Sequence, residues 1–214
     1  MNTEHPKQSW YELVGTKIVE SFKRRHFDAY YCATSAEAVK KILSLIPKTD
    51  VVSWGGSTTL TTLGVQKAVK DNGYKVIDRD TAKTPQEKTE ITRQALLCDT
   101  FLMSTNAFTQ DGELFNIDGN GNRLGALVYG PKSVIVVTGM NKMTKSLADA
   151  VDRVRSFAAP MNHQRIPGTT PCTETGLCGD CKSTDCICAQ MVTTRLCRPA
   201  GRIKIILVGE DLGF

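Results

Sequence analysis

Strand-sized apolar runs alternate with segments of helical spacing along most of these 214 residues, and that order leaves few architectures open. Trp10, Leu13, Val14, Ile18 and Phe22 mark a helix over Ser9 to Arg25, followed by the short strand HFDAYYC. A second helix is predicted from Ser35 to Leu45, with Ala36, Val39, Ile42 and Leu43 on its apolar face and Pro47 stopping it. VVSW (51–54) reads as a buried strand, and Gly55-Gly56-Ser57 leads from it into a helix over 58–71 that Asn72-Gly73 terminates. The strand YKVID (74–78), a helix over 85–97 and the strand TFLMST (100–105) follow. SVIVVTG (133–139) is a further strand, a helix is predicted over 144–157, and RIKIILVGE (202–210) closes the series. Such alternation predicts an α/β fold with a mostly parallel sheet and flanking helices. The middle departs from it: ELFNID and LGALVYG, joined by Gly119-Asn120-Gly121-Asn122, read as an antiparallel hairpin insertion. The last strand is expected to enter the sheet, which makes 1–214 a single domain with a loop excursion at about 167–199.

The formal charge of +5 is mild and its Lys and Arg residues are dispersed, so no nucleic-acid stripe is expected. The one tight basic group, FKRR at 22–25, sits where a helix ends and complements its dipole. No apolar run approaches the roughly twenty residues of a membrane helix. The N-terminus MNTEHPKQSWYELVG lacks the features of a secretory signal, which gives the expectation of a cytoplasmic protein.

Six of the eight cysteines are crowded into PCTETGLCGDCKSTDCICAQMVTTRLC (171–197). Cys178 and Cys181 form a C-x2-C chelate with further thiols on both sides, and six thiols in one polar, Gly-rich stretch cannot all belong to a core. A reducing compartment argues against disulfides and leaves metal or cluster ligation. One C-x2-C with single flanking cysteines fits an iron–sulfur cluster at least as well as structural zinc, which usually draws on two knuckles.

A second candidate site begins at Gly55, Gly56, Ser57 and Thr58, where backbone N–H groups and hydroxyls can meet an anion, although Ser57 can equally be a simple N-cap. DGELFNIDGNGNR (111–123) offers Asp111, Glu113, Asp118, Asn120, Asn122 and Arg123, which are also good turn formers. Lys142, just past SVIVVTG, can neutralise an anion or remain a surface cation. Glu210 can line the same rim, and His163 reads as a hydrogen-bonded loop residue.

WGGSTTLTTLGV (54–65), the long block from Ser104 to Met143, AAPMNHQRI (158–166), the cysteine run and the ending RIKIILVGEDLGF together resemble the LUD domain family, named after lactate utilisation. The resemblance implies a fold similar to ribose-5-phosphate isomerase and coenzyme A transferases. It also implies Cys172, Cys178, Cys181 and Cys188 as ligands of an iron–sulfur cluster of the 4Fe-4S type, with zinc as the alternative. Cys186 and Cys197 are then extras, able to serve as redox-exposed thiols. Sugar-phosphate isomerases of that fold carry a catalytic Asp-Gly motif in the stretch after TFLMST, which favours Asp111 as an acid or base, with Glu113 beside it. Their longer acidic signature is missing, so isomerase chemistry does not carry over. The function implied is an oxidoreductase component of organic-acid metabolism that binds a small anionic metabolite. The alternative is a non-enzymatic binding or regulatory module with structural zinc. GGS is not a dinucleotide fingerprint, so hydride chemistry requires a redox partner protein, and the sequence leaves oligomeric state open.

Overall fold

The computed structural model describes residues 5–214 and resolves the alternation into a definite order of elements. The first half runs α1 (Pro6–Arg24), β1 (Asp28–Cys32), α2 (Ser35–Leu45), β2 (Val51–Trp54), α3 (Thr58–Leu63), α4 (Val65–Asp71), β3 (Lys75–Ile77), α5 (Pro85–Gln94) and β4 (Thr100–Met103). Then come β5 (Ala107–Thr109), β6 (Leu114–Asp118), α6 (Asn122–Val128), β7 (Ser133–Gly139), β8 (Met143–Thr144), α7 (Leu147–Arg153), α8 (Ala159–His163), α9 (Pro171–Thr175), β9 (Gln190–Thr194) and β10 (Ile203–Val208). Among the described residues, six strands form an all-parallel sheet in the order β1-β10-β7-β4-β2-β3. The last strand enters the sheet as expected, pairing with β1 on one side and β7 on the other.

Both faces of this sheet are covered, which explains why its central strands are continuously apolar. In β7, Val134 and Val136 pack with α1 and α6, whereas Ile135 and Val137 pack with α2, α3 and α4 on the opposite face. The buried stripe of α1 is Tyr11, Ile18, Val19 and Phe22. Trp10 and Leu13, assigned to that stripe from spacing, are 48% and 62% exposed. Gly64, in the left-handed region with φ of 68°, divides the segment read as one helix into α3 and α4.

The antiparallel insertion exists with different partners. β5 and β6 form the hairpin, β8 pairs parallel with β5, and β9 adds to β6 as the fourth strand of a second sheet. LGALVYG, expected as a strand, lies largely in helix α6. Leu124 and Leu127 fall one turn apart against the core, and Arg202 donates to the carbonyls of Ala126 and Leu127 at 2.8 and 2.6 Å, satisfying helix-end acceptors. The helix expected over 144–157 starts later, at a Ser146/Asp149 capping box, and widens into a π turn over Val154–Ala158. Pro160 follows, and its missing N–H and bulky ring disturb the regular ladder there.

The hairpin is seated on α1 at Gly112, whose φ is 84° and where an added Cβ would lie 2.7 Å from the backbone nitrogen of Phe22. Gly112→Ala is therefore expected to cost about 2–4 kcal/mol through strain and overpacking. Gly73→Ala, with φ of 75° and open space around the added Cβ, should cost only about 1 kcal/mol. Urea denaturation of both variants checks the difference, and equal losses would mean that the hairpin is not held by this contact.

Candidate functional site

Loops leaving the carboxyl ends of the parallel strands enclose a cavity of about 450 Å³. Gly56, Ser57, Thr58 and Thr59 reach it from β2, Ser104 to Asn106 from β4, Lys142 from β7 and Gly213 from β10. The second sheet supplies Ile117, Asp118 and Asn120, and α6 supplies Asn122 and Arg123. Ala158, Ala159, Asn162 and Arg165 close one side beside the π turn.

All but one of the ligand-binding residues expected from sequence line this space: Gly56, Ser57, Thr58, Asn120, Asn122, Arg123 and Lys142. Gly55 stands behind it, where an added Cβ would meet Arg123 Cγ at 3.2 Å. Gly56 leaves room for Arg79, whose guanidinium any Cβ there would overlap. Ser57 Oγ accepts from the backbone N–H of Leu60 at 3.3 Å, so its hydroxyl serves as the N-cap of α3.

Asp111 and Glu113 do not line the cavity. They sit at the β5–β6 turn, where Asp111 pairs with Arg25, whose Nε also donates to the Asp111 carbonyl at 2.6 Å, and Glu113 lies 3.5 Å from the same guanidinium. Their carboxylates hold the hairpin to the end of α1, which corrects the expectation of an acid or base in the site. Glu210 is likewise occupied, accepting from Ser35 N at 2.8 Å and Ser35 Oγ at 2.5 Å.

Arg123 is present in the wall without being a free fork. Its Nη1 donates to Ser104 O at 2.8 Å and Asn116 Oδ1 at 2.7 Å, and its Nη2 to Asn106 Oδ1 at 3.0 Å and Ile117 O at 2.7 Å. The remaining Nε lies 3.6 Å from Asp118. Such a guanidinium builds the wall and supplies charge, but its donors are already engaged. Burial lowers its pKa, and Asp118 opposes that effect.

Lys142 is 4% exposed, and its Nζ donates to Thr59 Oγ1 at 3.0 Å, Ser104 Oγ at 3.2 Å and Thr105 O at 3.3 Å. Among the described residues no carboxylate pairs with it. Burial, reinforced by the charges of Arg153 and Arg123, pulls its pKa down to about 7. The amine is therefore not the fixed cation expected from sequence. Arg79, Lys88 and Arg165 also line the cavity. Sequence reading missed these three. Arg79 follows the end of β3, so the strand-end rule that located Lys142 applied to it as well, and Arg165 lies in the MNHQR block.

A second, smaller cavity of about 60 Å³ is lined by Cys172, Cys178, Cys181, Cys186 and Cys188, with His163 and Arg155 beside them. Cys197 is elsewhere: 2% exposed in the core, it accepts from Ile203 N at 3.2 Å, which corrects its reading as an exposed thiol. His163 is hydrogen-bonded, to Asp185 O at 3.1 Å and Thr173 Oγ1 at 3.3 Å, but it is the buried last residue of α8 and not a loop residue. Burial, with the neighbouring Cys186 adding to it, pushes the Cys188 thiol up to about 12. The donor chemistry suits a soft metal centre. The thiols surround a common cavity without closing on a point, and among the described residues no group of three or more His, Cys, Asp or Glu side chains is arranged to hold an ion. Ile187 lines the larger cavity while its neighbours Cys186 and Cys188 line the smaller, so one short segment separates the two.

Among curated proteins none matches this chain. Among solved structures it is similar to a DUF162 family protein from Deinococcus radiodurans, with 10% identity and a TM-score of 0.53 over 94% of this chain and 98% of that one. At that identity the likeness shows the fold. It also matches eIF2B delta from Chaetomium thermophilum at 13% identity and a TM-score of 0.34, over 67% of this chain and 55% of that one. The model of the LUD domain matches residues 15–208, which take in the parallel sheet and both cavities up to the end of β10, and the chain belongs to the LUD domain family.

Proposed function

We infer that this protein binds a small anionic organic acid or phosphorylated metabolite in the larger cavity and carries a redox centre on the thiols. It would act as an oxidoreductase component of lactate-type metabolism. The observation that carries the reading is the charge of the cavity wall: Arg79, Lys88, Arg123 and Arg165 line it with Asp118 as the one acidic side chain among the described lining residues, and Asp118 is held by Arg123. Polar donors from Thr58, Asn120, Asn122 and Asn162 add hydrogen bonds without adding negative charge. Such a wall selects anions and repels cations.

The redox part rests on the shared partition. Cys172, Cys178, Cys181 and Cys188, with Cys186 as a fifth thiol, would hold an iron–sulfur cluster, and a cluster supplies one-electron transfer. Ile187 and Ala159 stand between that pocket and the larger cavity, so a cluster held there would lie next to the proposed anion site. Hydride chemistry would belong to a partner protein.

Isothermal titration with inorganic phosphate and with lactate tests the anion site. Arg79→Ala should weaken binding by about 10- to 100-fold if a charge-assisted hydrogen bond worth about 1.5–3 kcal/mol is lost, and Asp111→Ala should leave it unchanged. Equal effects of the two substitutions would contradict the assignment. Anaerobic loading with iron and sulfide should give a broad visible band bleached by reductant, lost in Cys181→Ser and kept in Cys197→Ser. Stoichiometric zinc in a colourless protein would favour the non-redox module instead.

A further inference from the structure

We propose that Lys142 is a nucleophilic amine that forms an imine with the carbonyl group of an anionic oxo acid or aldehyde bound in the larger cavity. This deepens the anion-site reading and rests on it. A lysine that only neutralised a ligand would be expected to keep its charge by pairing with a carboxylate or facing water. Lys142 has neither among the described residues. Its nitrogen is enclosed by two hydroxyls and a carbonyl, from Thr59 on α3 and from Ser104 and Thr105 after β4. The charged groups packed around it are Arg153 of α7 and Arg123 of α6, both cations, and the nearest acid of the wall, Asp118, is engaged by Arg123. Burial and the two like charges favour the uncharged amine, which keeps two of the three contacts as donations and leaves a lone pair, and they lower its pKa.

Lys142 also lines the cavity in which a ligand would sit. An anionic tail held by Arg79 and Arg165 leaves the other end of a small molecule toward the strand ends, where Lys142 stands. Gly213 keeps that approach open, since an added Cβ would lie 3.3 Å from Nζ and 2.6 Å from Thr59 Oγ1. In the reaction the nitrogen lone pair attacks the carbonyl carbon, and the C=O π pair moves to oxygen. The proton shed by nitrogen passes through the Thr59 and Ser104 hydroxyls to that oxygen, giving a carbinolamine. Loss of the oxygen as water, with the second nitrogen proton, forms C=N. Amine and carbonyl become imine and water, and nothing is oxidised or reduced.

The test uses the unaltered chain with glyoxylate, an anionic aldehyde, and acetaldehyde, an uncharged one, each trapped by cyanoborohydride and located by peptide mass mapping. Glyoxylate should label Lys142 ahead of the surface lysines, with a rate that rises between about pH 6 and 8, whereas an ordinary lysine near 10.5 is roughly a thousandfold less deprotonated at pH 7. Lys142→Met should lose that label while the surface lysines keep their slow background labelling, and Asp111→Ala, outside the cavity, should keep both the Lys142 label and phosphate binding. No label on Lys142 from either aldehyde, or labelling no faster than at exposed lysines, would overturn the imine proposal and leave the anion site standing. Labelling by acetaldehyde as fast as by glyoxylate, with no competition from phosphate, would keep the reactive amine and remove the anion reading beneath the proposal.

Discussion

The buried guanidinium of Arg123 is the contact on which the arrangement of this site depends. It ties the loop after β4 to the last residues of β6 through four hydrogen bonds, and it lies against Gly55 at the end of β2. One side chain thus fixes the second sheet onto the parallel sheet at the place where the cavity opens. Its charge is stabilised by Asp118 and by oriented carbonyl and amide oxygens, so a cation persists in the wall despite burial. Lys142 feels that charge, and with Arg153 it shares a pocket of like sign. The same network that builds the wall therefore sets the chemistry of the amine.

The two cavities are linked by the sequence spacing of one short segment. Cys186 and Cys188 line the smaller cavity and Ile187, at a bend between them, lines the larger. Gly119 allows the close approach of that segment, since an added Cβ would sit 3.3 Å from Ile187 Cα. The cysteine excursion is in turn secured by β9 on the second sheet and by Cys197 in the core. The two cavities therefore share one thin wall.

Much of the fold was legible because both periodicities were strong where burial was two-sided. The parallel strands, the insertion of the last strand and the glycine loop after β2 follow from that pattern. Short segments were harder. LGALVYG is too brief for periodicity to separate helix from strand, and Arg202, distant in sequence, caps it as a helix. Trp10 and Leu13 fit the stripe of α1 by spacing with Ile18 and Phe22, yet only the latter two are buried, and Tyr11 and Val19 complete the buried face. In the site, residue type announced Arg123 and Lys142 but not their states, because full hydrogen bonding of one and desolvation of the other arise only in three dimensions. Asp111 shows the converse: the Asp-Gly motif of isomerases with the resembling fold pointed to it as an acid or base, and Arg25, remote in sequence, pairs with it.

The most direct measurement of the central claim, that the basic cavity is a small-anion site, is an anomalous difference map from crystals soaked in selenate at the selenium edge. The account predicts a selenium peak within the cavity, in hydrogen-bond reach of Arg79 or Arg165 and beside the loop at Gly56. Peaks confined to exposed lysines, with the cavity filled by water alone, would contradict it.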